Sequence, residues 1–563
     1  MKAAATNRRI TLLAAAFLAL LAATLVRAIW IQVVKGPEYA AMALRQHRET
    51  VVVPASRGTI VDRNGEPLAI GKLSTTIYAN PRQLKDARNL TLVAAKQLGL
   101  GPAPLYQELT DRSKGFVYVE RKADPRKAKI LEAKHFAGLG FYPEELRFYP
   151  QGPVASQVLG YAGLDNKGLE GLERSLDGTL EGTPGSQTIV KDPFGRALDV
   201  VETKPEKAGR SVRLTIDREV QANAEEILQE TVRRWGARAA TAIVMDPHTG
   251  QIYAMATAPR FNANRFPTTR ADRRRNRAVT DTYEPGSTFK LVTVAAALED
   301  HVVTPQTSFR LAPTIQVADR VIHDSHPRGT ERLTVKQIVE QSSNIGAITI
   351  AERLGAGRLA SWVNRFGFGS KTGIDFPGES PGFALPLDQW SGSTIGTVPI
   401  GHGIAVTPIQ MARAYSAIAN GGVLVRPHLV DRIDGKTVGV TRGRRVVSRH
   451  VSDQMMSMLR GVVLEGTGTE AAIPGYTVAG KTGTAAKIDP DGTYSTSRYV
   501  ASFVGMVPAS KPKLVIMVMV DEPHGDIYGG VVAAPAFKDI ARFNLQHFEI
   551  PQDAPGSSGR SNG

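Results

Sequence analysis

Ser287 and Lys290 stand three residues apart in Glu284-Pro285-Gly286-Ser287-Thr288-Phe289-Lys290, directly ahead of the apolar run Leu291-Val292-Thr293-Val294-Ala295-Ala296-Ala297-Leu298. The Pro-Gly pair followed by that run predicts a helix start. Residues three apart share a helix face. A serine in the first turn has a free backbone N–H for a developing oxyanion, and the positive helix end favours negative charge. A neutral lysine on the same face can take the hydroxyl proton. Taken alone the spacing is common, and an ordinary capped helix accounts for it. Two further segments add to it: Gln341-Ser342-Ser343-Asn344-Ile345-Gly346 and Ala479-Gly480-Lys481-Thr482-Gly483-Thr484-Ala485. Together the three supply a nucleophile, two lysines, a second hydroxyl, an amide and a Gly-flanked strand edge.

Several other patterns compete for attention. Gly475 to Thr482 matches the Gly-x4-Gly-Lys-Thr phosphate loop, which needs a helix directly after it. Gly483-Thr484 and then Asp489-Pro490-Asp491-Gly492 cannot be that helix, so a nucleotide site is not expected. His323-Asp324-Ser325-His326 lacks a helix or a third ligand and reads as a loop rather than a metal site. His402, between Gly401 and Gly403, reads as structural or pocket-lining. Arg270, Arg273, Arg274, Arg275 and Arg277 read as a solvated surface, with contact to anionic lipid or cell-wall polymer as the sharper alternative.

These residues need elements to hold them. Asp217 is expected to cap a helix with the apolar face Val220, Ala224, Ile227, Leu228 and Thr231. Strands follow at 239–246 and 251–256, then at 499–507 and 514–520, with a closing helix over 536–546. An antiparallel sheet with helices makes this an α+β domain, placed at 211–548. A boundary falls near 203–210. Before it, residues 40–205 read as a mixed α/β, non-catalytic pedestal. It carries a hairpin whose Asn64-Gly65 predicts a type I′ turn, a strand at 116–120, helices at 92–98 and 126–133, and a turn-rich stretch at 168–186.

Ahead of the pedestal, Lys2, Arg8 and Arg9 precede an apolar stretch over 10–34, interrupted by Arg27 near its far end. At about 1.5 Å per residue such a stretch can cross a core of about 30 Å. It is longer than the apolar core of a signal peptide, so a retained single anchor is expected, with residues 1–9 cytoplasmic and everything beyond about Lys35 outside. The tail 551–563 is rich in Pro, Gly and Ser and is expected to be disordered.

Composition bounds the rest. The 563 residues include no cysteine, which excludes disulfide frameworks, thiolate metal sites and a cysteine nucleophile. A net charge of +16 would suit a polyanionic partner. No zinc finger or aromatic-studded RNA motif accompanies it, so nucleic acid is not expected, nor is any cofactor or metal.

Ser-x-x-Lys, Ser-x-Asn and Lys-Thr-Gly in this order are the signature of penicillin-binding proteins and serine β-lactamases. With the anchor and pedestal, the chain resembles a class B penicillin-binding protein, most like the cell-division, FtsI-type enzymes. Arg57-Gly58-Thr59-Ile60-Val61-Asp62-Arg63-Asn64-Gly65 is similar to a class B hallmark. So are Arg147-Phe148-Tyr149-Pro150, Gly168-Leu169-Glu170 with Glu173, and Asn276-Arg277-Ala278. Gly401-His402-Gly403 departs from the aromatic or Gln expected between those glycines. No C-terminal repeat module is read after residue 550.

The resemblance implies a penicillin-binding/β-lactamase-like transpeptidase fold behind a dimerisation-type pedestal. It also implies cross-linking of peptidoglycan stem peptides by D,D-transpeptidation, with β-lactams as inhibitors. In that scheme Ser287 attacks, Lys290 is the base, and Ser342 relays a proton to the leaving D-Ala. Asn344 positions Lys290 and the substrate amide. The N–H groups of Ser287 and Thr484 form the oxyanion hole. Lys481, Thr482 and Thr484, with Gly483 between them, bind the terminal carboxylate. An FtsW-type glycosyltransferase and other divisome proteins are the implied partners, and Ala14, Ala15, Ala16, Ala19, Ala22 and Ala23 would let another helix approach. A septal role is preferred over an elongation-type one. A D,D-carboxypeptidase, a β-lactamase and a non-enzymatic sensor or scaffold remain as alternatives.

Overall fold

Alternating side chains in Ala239–Met245 point to two different cores. The computed structural model describes residues 2–191, 197–439 and 442–554 and shows why. Strands β1 (Ala239–Met245), β2 (Ile252–Ala258), β3 (Ala479–Ile488), β4 (Tyr494–Val507) and β5 (Leu514–Asp521) form one sheet in the order β2-β1-β5-β4-β3. Every neighbouring pair is antiparallel.

Helices α1 (Arg218–Arg234), α2 (Lys290–Glu299), α3 (Asn344–Leu354), α4 (Pro408–Ala419), α5 (Arg449–Leu464) and α6 (Ala534–His547) surround it. Ala240, Ala242 and Val244 pack in one cluster with Val220, Ala224 and Leu228 of α1 and Phe537, Ile540 and Leu545 of α6. Ile243 and Met245 face the other way, into a cluster with Val292 of α2, Met411 of α4 and Met455 of α5. Both faces are covered, so β1, β2 and β5 are buried along their whole length. The C-terminal half is the α+β domain expected. Asp217 caps α1 by accepting from Glu219 N (3.0 Å) and Val220 N (3.3 Å).

The hairpin near Asn64-Gly65 is present, but its turn is not type I′. Gly65 has φ +92°, whereas Asn64 is absent from the residues with positive φ. The Asp62 carboxylate explains this. It accepts from Asn64 N and Glu66 N, both at 2.8 Å, so a side chain rather than a second left-handed residue shapes the turn.

Strand Ile60–Val61 of that hairpin lies between strands Val212–Leu214 and Pro67–Ala79. The sheet runs on to Val430–Ile433 and Lys436–Thr437 on one side and to Val117–Ala123 on the other, with Leu139–Phe148 also paired to Pro67–Ala79. Pedestal and catalytic segments therefore share one sheet. By contacts, residues 57–181 group with 210–563, while residues 1–56 group with 182–209. The stretch read as one pedestal from 40 to 205 thus divides between two units.

Three of the four hallmark segments, those with Arg57, Arg147 and Glu173, converge on a buried ionic node, whereas Arg277 of the fourth pairs with Asp281. The Glu173 carboxylate, fully buried, accepts from Arg57 Nε (2.7 Å) and Arg147 Nε (2.6 Å). Arg57 Nη1 also reaches Asp177 (2.7 Å) and the Asn166 carbonyl (2.7 Å), and Arg147 Nη1 donates to the Gly58 carbonyl at 2.9 Å. Tyr149 Oη accepts from Ala162 N at 2.8 Å.

The other unit holds the N-terminal helix Lys2–Ile29, a π-turn at Trp30–Val34 and the helix Gly36–His47. Residues Asn7–Val34 are long and apolar enough to cross a membrane, with mean hydropathy 2.3. The helix begins well inside the stretch read as a cytoplasmic tail. Arg48–Val53, Gly185–Lys191 and Ala197–Lys204 form a three-stranded antiparallel sheet in that order.

At the other terminus the expected disorder does not begin at Pro551. Asp553 Oδ1 accepts from Thr477 N at 2.7 Å, and the N–H groups of Asp553 and Ala554 reach the Gly475 carbonyl at 3.2 Å. Residues 555–563 of that tail lie outside the described residues.

Candidate active site

Pro285 and Gly286 place Ser287 on a single 3-10 turn, Gly286–Phe289, that feeds directly into α2 at Lys290. Gly286 has φ +54°, and a Cβ there would lie 2.7 Å from the Thr484 carbonyl. Only glycine lets the nucleophile's turn approach β3 this closely. The turn is pinned by Gly286 N donating to the Gly401 carbonyl (3.1 Å) and by Tyr415 Oη donating to the Thr288 carbonyl (2.9 Å).

Lys290 is completely enclosed. Its Nζ lies 2.5 Å from the Ser342 carbonyl, 2.8 Å from Asn344 Oδ1 and 3.3 Å from Ser342 Oγ. The first two oxygens can only accept. A neutral amine satisfies them with its two N–H bonds and keeps a lone pair for a hydroxyl proton. Burial pushes the Lys290 pKa well below its usual range. Lys481 pushes the same way, Asp324 opposes, and Arg328 adds to the lowering.

The Ser342–Asn344 segment sits between a short helix, Val335–Glu340, and α3. Ser342 has φ +60°, a left-handed conformation that costs a non-glycine residue of order 1–3 kcal/mol and concentrates at functional sites. What holds it is Asp324. Its buried carboxylate accepts from the N–H groups of Asn344 and Ile345 (3.2 Å for the latter) and from Ser343 Oγ (3.0 Å). Ser343 Oγ in turn caps α3 through Gly346 N (3.0 Å). Asp324 belongs to the His-Asp-Ser-His segment read as a loop. Its function as an N-terminal cap is legible only once residues 324 and 344 are known to be neighbours.

Lys481, Thr482, Gly483 and Thr484 lie on β3, the edge strand. The strand continues to Ile488 where a phosphate loop would need a helix. Lys481 is buried, which lowers its pKa to about 7, and its Nζ lies 3.4 Å from both the carbonyl and Oγ1 of Thr482. A Cβ on Gly483 would fall 2.4 Å from Ser502 Oγ and 2.9 Å from the Pro285 carbonyl, so β3 also needs glycine here.

A cleft of about 700 Å³ opens over these elements, lined by Ser287, Ser342, His402, Thr482, Thr484 and Tyr528 among others. Asn344 lines an adjoining cleft of about 480 Å³, again with His402. Lys290, Lys481 and Gly483 are buried behind the surface. Among the described residues Ser287 Oγ has no hydrogen-bond partner, a looseness common before a substrate binds.

His402 was expected to be structural or pocket-lining, and it faces both clefts. Its partners were not foreseen: Nδ1 lies 2.8 Å from Glu284 Oε2. In the arginine cluster Arg270, Arg273 and Arg275 are exposed, as a solvated surface requires, but the other two are not. Arg277 is buried on Asp281 (2.6 Å), Arg275 also reaches Asp281 (3.0 Å), and Arg274 donates to Tyr161 Oη (2.6 Å).

Comparison with known proteins gives this geometry a family. Residues 240–542 match the penicillin-binding protein transpeptidase domain, and residues 52–214 match the penicillin-binding protein dimerisation domain. The chain is 35% identical to stage V sporulation protein D of Bacillus subtilis over 92% of its own length and 83% of that protein's. It is 32% identical to peptidoglycan D,D-transpeptidase FtsI of Escherichia coli K12, over 97% and 93%. A crystal structure of penicillin binding protein 3 from Mycobacterium tuberculosis, complexed with aztreonam, superposes with a TM-score of 0.70 at 31% identity, covering 90% of this chain and 99% of that one. Fold, motif order and overall likeness agree, and the chain belongs to the class B penicillin-binding proteins, in their FtsI-like group.

Proposed function

We propose that this protein is a peptidoglycan D,D-transpeptidase that cross-links stem peptides through an acyl-enzyme on Ser287. The observation that carries the reading is the Lys290 site. Here a buried amine with a lowered pKa meets two acceptor-only oxygens, from Ser342 and Asn344, one helical turn from a serine on the cleft. Ser287 Oγ attacks the carbonyl of the penultimate D-Ala, and Lys290 takes its proton. The N–H groups of Ser287 and Thr484 receive the oxyanion, favoured by the N-terminal end of α2. Ser342 passes a proton to the departing D-Ala while Asn344 holds Lys290 and the substrate amide. Lys481, Thr482 and Thr484 bind the terminal carboxylate on the glycine-narrowed edge of β3. An amine of a second stem peptide then takes the acyl group. β-Lactams enter the same path and remain on Ser287.

The long apolar helix supports membrane anchoring. The finer reading puts its N-terminus in the cytoplasm and residues beyond about Lys35 outside. It divides the chain into a tail (1–9), anchor (10–34), pedestal (40–205) and transpeptidase domain (211–548). It assigns the protein to septal wall synthesis with an FtsW-type glycosyltransferase. Support for that partner comes from the alanine-lined helix and the folded segment before the catalytic domain.

The test is labelled penicillin on the full chain in detergent. One adduct is expected, on the peptide containing Ser287, and none in Ser287→Ala. An adduct that persists in that variant overturns the assignment.

A further inference from the structure

Glu284 precedes the nucleophile by three residues and is not used by the mechanism above. Its carboxylate is nonetheless fully engaged. Oε2 lies 2.8 Å from His402 Nδ1, and Oε1 accepts from Gly403 N (2.8 Å) and Tyr494 Oη (3.2 Å). The backbone fixes this arrangement. Tyr283 and Val406 form an antiparallel bridge, and Gly286 N donates to the Gly401 carbonyl. The segment 401–406 therefore runs beside 283–286, and His402 is held next to the turn that carries Ser287. Gly401 has φ +80°, and a Cβ there would sit 2.2 Å from the Gly286 carbonyl, so the two segments cannot be closer.

The result is an imidazole that lines the cleft with Ser287, backed by a carboxylate that holds it from behind. The Glu284 contact at Nδ1 orients the ring, as a carboxylate orients a catalytic histidine. Nε2 has no partner among the described residues, and His402 lines both the cleft with Ser287 and the adjoining one with Asn344. The Tyr494 ring stands edge-on to it at 5.4 Å.

An acceptor amine arrives as an ammonium ion and must lose a proton before it can attack. Lys290 and Lys481 are enclosed, and any positive charge on them repels that ion. Arg328 lines the cleft and repels it too; His323 and His326 lack a carboxylate partner among the described residues. Glu470 also lines the cleft but is exposed at its rim. Glu284 with His402 is the pairing of negative charge and proton acceptor beside the nucleophile.

We propose that His402, oriented by Glu284, is the catalytic base for the second half-reaction, accepting the proton of the incoming amine. The inference rests on the transpeptidase reading. His402 Nε2 takes one proton from the ammonium, and the freed nitrogen lone pair forms the C–N bond to the acyl carbon. The C–Oγ bond then breaks with its electron pair on Ser287 Oγ, which receives a second proton from that nitrogen through Lys290 and Ser342. The product is an amide with one N–H, and His402 returns its proton to solvent.

The experiment uses the full chain in detergent with a synthetic acyl-D-alanyl thioester as donor and D-alanine as the acceptor amine. Aminolysis and hydrolysis products are measured together, beside acylation by labelled penicillin. His402→Gln keeps a donor for Glu284 but cannot take a proton. The expected result is a tenfold or greater fall in the aminolysis-to-hydrolysis ratio, with a smaller change in acylation. Glu284→Gln should lower the ratio likewise, and the double variant should be no worse than His402→Gln, because Glu284 acts through the histidine. A ratio within twofold of the parent in His402→Gln, or additive losses in the double variant, overturns the proposal. So does an equal fall in acylation and transfer, which would mark His402 as a support for the Ser287 turn. Absence of donor turnover in the parent chain would instead refute the transpeptidase reading itself.

Discussion

Replacing Glu173 by glutamine should destabilise the protein far more than a surface charge change. The carboxylate is fully buried, and the side chains of Arg57 and Arg147 are 1% and 2% exposed. Arg57 keeps a second anion, Asp177, at 2.7 Å. Arg147 keeps only the Gly58 carbonyl at 2.9 Å, so the variant leaves one buried guanidinium without a counter-charge. Breaking a buried ion pair from one side costs about 3–5 kcal/mol, and the surviving Asp177 contact places this case near the lower figure. That is a large part of the roughly 5–15 kcal/mol that holds a domain folded. The assay is urea unfolding of the full chain in detergent, with penicillin labelling as a separate report on the catalytic domain. A second variant sharpens it. Arg147→Met added to Glu173→Gln removes the orphaned charge, so the double variant should recover part of the loss. A single-variant loss below about 1 kcal/mol, or a double variant worse than the single, would refute the charge argument.

Three other outcomes follow from the same geometry. Lys290→Arg keeps the charge but supplies no base, so penicillin acylation should fall by about 10²–10⁴-fold in a chain that still melts cooperatively; near-parent acylation would reject the role. Gly401→Ala puts a methyl group against the Gly286 carbonyl at a left-handed backbone position, so acylation should fall at least tenfold and stability by about 1–3 kcal/mol; unchanged acylation would mean the 401–403 loop does not position Ser287. Burial raises the Glu225 pKa to about 7 from the 4.5 of a free side chain, so the folded chain holds that proton more tightly. Its contribution is then fully present below about pH 4.5 and lost as pH rises through about 7, and Glu225→Gln should flatten the unfolding midpoint across that window; an unchanged slope would show another group responsible.

The catalytic domain was legible because its elements carry strong local signals. The apolar run 291–298 reads as a helix, the short stretch 239–246 before the turn at Pro247 as a strand, and Asp217 as a cap, and each lies where it was read. What sequence could not reach were pairings across distance. Asp324 and Asn344 are twenty residues apart, Glu284 and His402 more than a hundred, and Arg57 and Glu173 likewise. Nothing in the local pattern of either partner names the other. Turn chemistry failed differently: Asn64-Gly65 does mark a hairpin, but the Asp62 side chain supplies the acceptors that a second left-handed residue would otherwise replace. The pairing of strand 60–61 with 212–214 was out of reach for the same reason, since no composition shift records it.

Lys290 and Lys481 together explain how the site can hold a base at neutral pH. Burial lowers both pKa values, and a charged Lys481 lowers that of Lys290 further. Two adjacent desolvated cations are the least favourable state, so one of the pair gives up its proton. The balance falls on Lys290, because burial and the charge of Lys481 both push it down, whereas burial alone acts on Lys481. Lys481 has only distant contacts to Thr482, at 3.4 Å, and sits on the strand assigned to the substrate carboxylate. A carboxylate docking there would hold Lys481 charged, and that charge in turn would keep Lys290 neutral. Under the proposed roles, recognition of the terminal carboxylate and preparation of the base are one electrostatic event. Part of the substrate's binding energy would then appear in the rate of acylation rather than in affinity.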